Sequence, residues 1–143
     1  MTRPKSLLNP AAIRPRLETL GAALLNACGD IEFAYLFGSA ARGELTPRSD
    51  VDIAIHLEDN LDPAWARLEA ARAAALHLGT DAVDLVVLNT APLATAGRIL
   101  TSRHVILDRV PFRRHTYEST TARMFYDFRL REQRLLSARF GRG

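Results

Sequence analysis

Three aspartates and a glycine-serine pair are the residues of this 143-residue chain whose types and spacing could do chemistry together. Asp50 and Asp52 stand two apart at the start of a β-branched run, so on a strand both carboxylates point to one side. Asp84 sits in a second such run, Val83-Asp84-Leu85-Val86-Val87-Leu88, and from a neighbouring strand it would complete the oxygen cage that Mg²⁺ prefers. Gly38-Ser39 closes a third apolar run; glycine lets the backbone approach a phosphate without a Cβ, and Ser39 offers a hydroxyl and an N–H. Arg42 carries a planar guanidinium fork suited to phosphate oxygens. Such a set suits phosphoryl chemistry in which two divalent cations about 3.5–4 Å apart clamp the attacking and leaving oxygens. Each piece alone is ordinary, since an Asp-x-Asp at a strand end is more often a solvated edge and Gly-Ser is a common turn. At a usage of about 5–7% per residue type, however, Gly-Ser-x10-Asp-x-Asp arises by chance roughly once in a thousand chains of this size. The loop is not a Walker A sequence, because no Gly-Lys-Ser/Thr follows.

The elements that must position these residues follow from periodicity. Ile13, Leu17, Leu20, Leu24 and Leu25 recur at helical spacing and predict one helix over Ala11 to Ala27, stopped by Gly29. Ile31 to Phe37 is β-branched and aromatic and reads as a buried strand ending at Gly38, followed by a polar loop with Arg42, Gly43, Pro47 and Ser49. Val51, Ile53, Ile55 and Leu57 alternate with Asp50, Asp52, Ala54 and His56, the period of a half-buried strand. Asp62-Pro63 is an N-cap followed by proline at the first helical position, opening a helix from Ala64 to Leu78 that ends at Gly79. Val83 to Leu88 is a third strand, Thr90-Ala91-Pro92 opens a shorter helix through about Thr101, and Val105-Ile106-Leu107 is a fourth strand. Pro111 starts a last amphipathic helix, through about residue 140, with Phe112, Tyr117, Met124, Phe125, Phe128 and Leu135 among its apolar positions. The order predicts a single α/β or α+β domain spanning residues 1–143, a small mixed sheet with helices covering one face and the other open to water or ligand.

Composition sets the outer bounds. Hydrophobic residues are 48% and charged residues 24%, which argues against disorder and against a fibrous repeat. No apolar run approaches the roughly 18 residues of a membrane span, and the basic start Met1-Thr2-Arg3-Pro4-Lys5 has no apolar h-region, so a cytoplasmic protein is expected. The lone Cys28 fits a buried small hydrophobe better than a nucleophile. The net charge of +3 is uneven: residues 1–97 carry 8 basic and 12 acidic side chains, residues 98–143 carry 11 and 4. A basic C-terminal block can serve a phosphate, an acidic protein or nucleic acid, but no helix-turn-helix, zinc spacing or aromatic ribonucleoprotein motif supports the last.

The run Gly38-Ser39-Ala40-Ala41-Arg42-Gly43, five residues, then Ser49-Asp50-Val51-Asp52, resembles the signature of the minimal nucleotidyltransferases of the DNA-polymerase-β-like superfamily. The resemblance extends to Val83 through Asn89 and to the C-terminal helix with Tyr126-Asp127-Phe128, so it covers most of the chain. It implies that Asp50, Asp52 and Asp84 hold Mg²⁺, that Asp84 also helps deprotonate the acceptor hydroxyl, and that Gly38, Ser39, Arg42 and Ser49 bind the nucleotide. It further implies transfer of AMP from ATP to an acceptor hydroxyl. Many stand-alone members resemble antitoxins that adenylylate a tyrosine of a helical HEPN-domain ribonuclease toxin. A chain this short has no room for an acceptor domain, so a partner protein that brings its own hydroxyl is expected, forming a hetero-oligomer with it. Two alternatives remain: an antitoxin that inhibits its partner by binding alone, and a small-molecule (antibiotic) nucleotidyltransferase. Arg109-x5-His115-x-Tyr117 matches the toxins' own Arg-x4–6-His-x-Tyr pattern, but Pro111 interrupts it and the rest of an all-helical ribonuclease is missing.

Overall fold

A computed structural model describes residues 7–59 and 61–140; the basic start at Met1 to Ser6 lies outside the described residues. Four strands form one sheet in the order β3-β2-β1-β4, where β1 is Ile31–Phe37, β2 Val51–Leu57, β3 Val83–Val87 and β4 His104–Asp108. β1 runs antiparallel to both β2 and β4, while β2 and β3 are parallel, so the sheet is mixed, as expected. A parallel pair needs a crossover, and the helix over Pro63–Leu78 supplies it. Its predicted cap is in place: the Asp62 carboxylate accepts from the N–H groups of Ala64 at 3.0 Å and Trp65 at 3.4 Å.

The predicted first helix is two helices, α1 over Pro10–Leu17 and α2 over Leu20–Ala27. The apolar spacing is continuous, but the backbone is not. The Thr19 N–H bonds back to the Arg16 carbonyl at 3.3 Å, and its hydroxyl lies 2.8 Å from His77 Nε2. A threonine hydroxyl competes for backbone partners and bends helices, and here a contact 58 residues away in sequence fixes the bend. The remaining helices are α3 over Gly38–Ala41, α4 over Pro63–Leu78, α5 over Leu93–Thr101 and α6 over Pro111–Phe140. The end of the third predicted strand is a single 3₁₀ turn, Leu88–Thr90.

One face of the sheet carries the larger core, in which Val51, Ile53, Ile55 and Leu57 of β2 meet Leu20 and Leu24 of α2 and Ala70, Ala74 and Leu78 of α4. The opposite face was expected to stay open, and it does not along its whole length. Phe33, Tyr35 and Ala54 point that way and must be kept from water, so Ile99 and Leu100 of α5 and Tyr117 of α6 cover them in a second, smaller core. What stays uncovered is the end of the sheet where β1 finishes and β2 and β3 begin.

Candidate active site

At that end the register sets the carboxylates side by side. Asp52 pairs across the ladder with Phe37 on one side and with Asp84 on the other. Same-register residues of neighbouring strands point to the same face about 4.8 Å apart, and Asp50 lies two residues before Asp52, just ahead of β2. Asp50 and Asp52 are half-buried and Asp84 is exposed. The alternation that buries Val51, Ile53 and Ile55 in the larger core is thus what turns the aspartates out.

Gly38 completes the edge. Its φ is +63°, a left-handed conformation that favours glycine, and a Cβ built there would strike Asp52 Oδ2. The chain therefore leaves β1 in a turn that brings backbone directly onto the Asp52 carboxylate. The Gly38 N–H donates to Ser102 Oγ at 3.1 Å, which ties the turn to the end of α5. Ser39 is half-buried in α3, the single helical turn that the sequence presents only as a loop. Arg42 is exposed and pairs through Nε with Glu44 at 3.0 Å. The Ser49 hydroxyl accepts from the Thr46 N–H at 2.9 Å, closing the turn that leads into Asp50.

A cavity of about 370 Å³ opens beside Gly38, lined by Phe37, Arg42, Thr95, Arg98 and Ser102 among others. Two guanidinium groups and three hydroxyl-bearing side chains, counting Thr101, make it suited to an anion. Arg98, Thr95 and Ser102 were not legible as site residues, because α5 reads locally as an ordinary amphipathic helix and only its packing brings them to Gly38.

In chemical type the donor set suits Mg²⁺. Three carboxylates are hard oxygen ligands, and the space a Cβ would fill at Gly38 is given to one of them. Among the described residues no three His, Cys, Asp or Glu side chains are placed together so as to hold a metal ion. An open edge of carboxylates suits an ion that keeps water and phosphate oxygens in its shell.

Other polar and aromatic residues lie elsewhere. His56 shares the Asp52 face of β2 but sits at the far end, stacked on Phe33 at 4.6 Å and 3.1 Å from Glu32 Oε1. Burial pulls its pKa below the usual imidazole range, against the opposing pull of Glu32. Arg109 donates to the carbonyls of Gly29 and Ile31, while Tyr117 packs on Phe33 and His56, so the toxin-like spacing assembles no site. Cys28 is half-buried against the larger core, and burial raises its thiol pKa. Trp65 is exposed on α4. No described helix is long and apolar enough to cross a membrane.

A small mixed sheet with three aspartates along one edge, met by a glycine-led helical turn, defines a nucleotidyltransferase. The chain belongs to the polymerase beta, nucleotidyltransferase family, whose model matches residues 22–111. Solved structures agree. A toxin–antitoxin structure with AMP-PNP contains a chain 28% identical to this one, at a TM-score of 0.70, covering 85% of this chain and 96% of that one. A toxin–antitoxin MntA complex bearing two aspartate-to-glutamate changes two positions apart matches at 26% identity and a TM-score of 0.69, over 92% and 98% of the two chains. A complex of tri-AMPylated Shewanella oneidensis HEPN toxin with MNT antitoxin matches at 25% and 0.66, over 87% and 97%. None of the curated proteins matches this sequence.

Proposed function

We propose that this protein is a Mg²⁺-dependent protein adenylyltransferase that moves AMP from ATP to a tyrosine of a HEPN-domain ribonuclease toxin and so serves as its antitoxin. The observation that carries the reading is the in-register pair Asp52 and Asp84, held against a glycine whose Cβ position the Asp52 carboxylate occupies. The relatives' complexes, one with AMP-PNP and one with an AMPylated toxin, support the choice of donor and acceptor.

In this reading Gly38, Ser39 and Arg42 hold the triphosphate, Arg98 and Ser102 extend that anion site, and Ser49 fixes the loop that delivers Asp50. Divalent ions bound by Asp50, Asp52 and Asp84 would offset phosphate charge and lower the pKa of the acceptor hydroxyl. The tyrosine oxygen bonds to the α-phosphorus, the bond from that phosphorus to the bridging oxygen breaks, and pyrophosphate leaves. The phenolic proton passes to a carboxylate oxygen of Asp84. Arg42 and Arg98 stabilise the charge that gathers on the departing pyrophosphate. Both the donor nucleotide and such a partner belong to the cytoplasm, and residues 1–143 act as one nucleotidyltransferase domain.

The test is the intact mass of the purified, unmodified partner after incubation with ATP and Mg²⁺. Wild-type protein should add whole AMP units, and the Asp50→Ala/Asp52→Ala variant none. An unchanged partner that is nonetheless inhibited by both proteins would replace this reading with inhibition by binding alone.

A further inference from the structure

The helix α6 has thirty residues, about 45 Å, and its first half is held by the rest of the molecule. Arg113 bonds Glu32 at 2.8 Å, Arg114 pairs with Asp108 at 3.0 Å, and Glu118 accepts from Tyr35 at 2.7 Å and Arg103 at 2.9 Å. Phe125 packs so closely on Gly97 of α5 that a Cβ there would enter its ring. These contacts climb β1 from Glu32 to Tyr35 as the helix number rises, so α6 runs toward Phe37 and Gly38, the end of the sheet that carries the aspartates. Tyr126 and Arg129 line a cavity of about 310 Å³ that shares Thr101 with the cavity beside Gly38. Beyond Phe125, residues 126–139 are exposed, apart from a half-buried Leu130.

This fourteen-residue segment extends for about 20 Å, and a helical segment of that length is marginal in water without packing. Its surface is not that of a solvated helix. Met124, Phe128 and Leu135 are 52%, 40% and 66% exposed, and at 100° per residue they fall within about 40° of one another, forming one apolar stripe. Arg131, Arg134 and Arg139 flank the stripe together with Asp127 and Glu132, and Arg123 and Arg129 stand farther round the helix, so five arginines face two carboxylates over residues 123–139. A second copy of this chain would set arginines against arginines, whereas an apolar groove rimmed by carboxylates satisfies both features.

We propose that residues 124–139 of α6 are a docking arm for the acceptor protein, whose carboxylate-rimmed apolar groove receives Met124, Phe128 and Leu135 and is thereby held beside the aspartate edge. The inference rests on the adenylyl-transfer reading and adds where the acceptor is gripped.

The test uses the full chain, with Phe128→Asp/Leu135→Asp compared against wild type. Both positions are exposed, so the melting temperature should be unchanged. With the purified, unmodified HEPN-domain partner as substrate, KM for the partner should rise about 100-fold, as loss of two central anchors implies. The kcat at saturating partner and the Kd for AMP-PNP should stay as in wild type. An unchanged KM, with transfer still abolished by Asp50→Ala/Asp52→Ala, overturns the arm and leaves the transfer reading standing. If wild type transfers nothing, direct binding decides: partner binding lost in the variant supports the arm, and equal binding overturns it. Should the double variant fail to fold, Arg131→Glu/Arg134→Glu must weaken partner binding and flatten its salt dependence; no change in either overturns the proposal. Variant-sensitive sedimentation with phosphatidylglycerol vesicles at unchanged partner affinity would assign the arm to a membrane surface instead. Variant-sensitive dimerisation would assign it to a second copy.

Discussion

Gly38→Ala and Gly43→Ala separate backbone strain from active-site geometry. Both glycines are left-handed, with φ of +63° and +70°, so an alanine at either costs about 1–2 kcal/mol. That corresponds to a fall in Tm of roughly 3–10 °C for a chain of this size. The surroundings differ. A Cβ at Gly43 has nothing within 4 Å, while one at Gly38 strikes Asp52 Oδ2. Relief at Gly38 must push the carboxylate or the turn by an ångström or so, and a misplacement of that size costs about 100-fold in rate. The two variants should therefore lose similar stability in thermal melts. Gly43→Ala should keep adenylyl transfer within about 3-fold of wild type once corrected for folded fraction, and Gly38→Ala should lose about 100-fold in kcat. Equal transfer rates in the two variants would refute the claim that Gly38 exists to admit Asp52.

Two further perturbations test the frame around the site. Asp62→Ala removes an N-cap that accepts two backbone N–H groups, and should lower stability by about 1 kcal/mol in urea titration with transfer unaltered. Burial alone would raise the Glu118 pKa, but bonds from Tyr35, Arg103 and Arg114 outweigh it and hold the carboxylate below its usual range. A depressed carboxylate pKa stabilises the fold above the unfolded value of about 4.3 and loses that contribution as pH falls through the folded value. Wild type should accordingly lose more stability than Glu118→Gln between about pH 5 and pH 3 in denaturant titrations. Parallel pH profiles would show that Glu118 is not held in its charged form by the fold.

The parts of the fold that sequence revealed are those set by short-range pattern. The alternation from Val51 to Leu57 fixed both the buried side of β2 and the side on which Asp50 and Asp52 emerge, because a strand has a period of two whatever it packs against. Asp62-Pro63 gave the start of α4 to the residue, since capping is a local bond. What escaped depends on distant partners. The bend between α1 and α2 hangs on Thr19 meeting His77, and the covering of the second face on Tyr117 meeting Phe33. Arg98 and Ser102 stand at the site only because α5 folds back on Gly38. The apolar positions of α6 were legible, but periodicity does not distinguish Tyr117, packed on the sheet, from Leu135, which is exposed.

The central claim is that the α-phosphorus of ATP ends on a partner tyrosine. Parallel incubations with ATP labelled at the α- or at the γ-phosphate, each with Mg²⁺ and the unmodified partner, test it most directly. The account predicts that the α-label appears on the partner tyrosine, that the γ-label leaves as pyrophosphate, and that Asp50→Ala/Asp52→Ala abolishes both. The γ-label on the partner, or α-label transfer that survives loss of both aspartates, would contradict it.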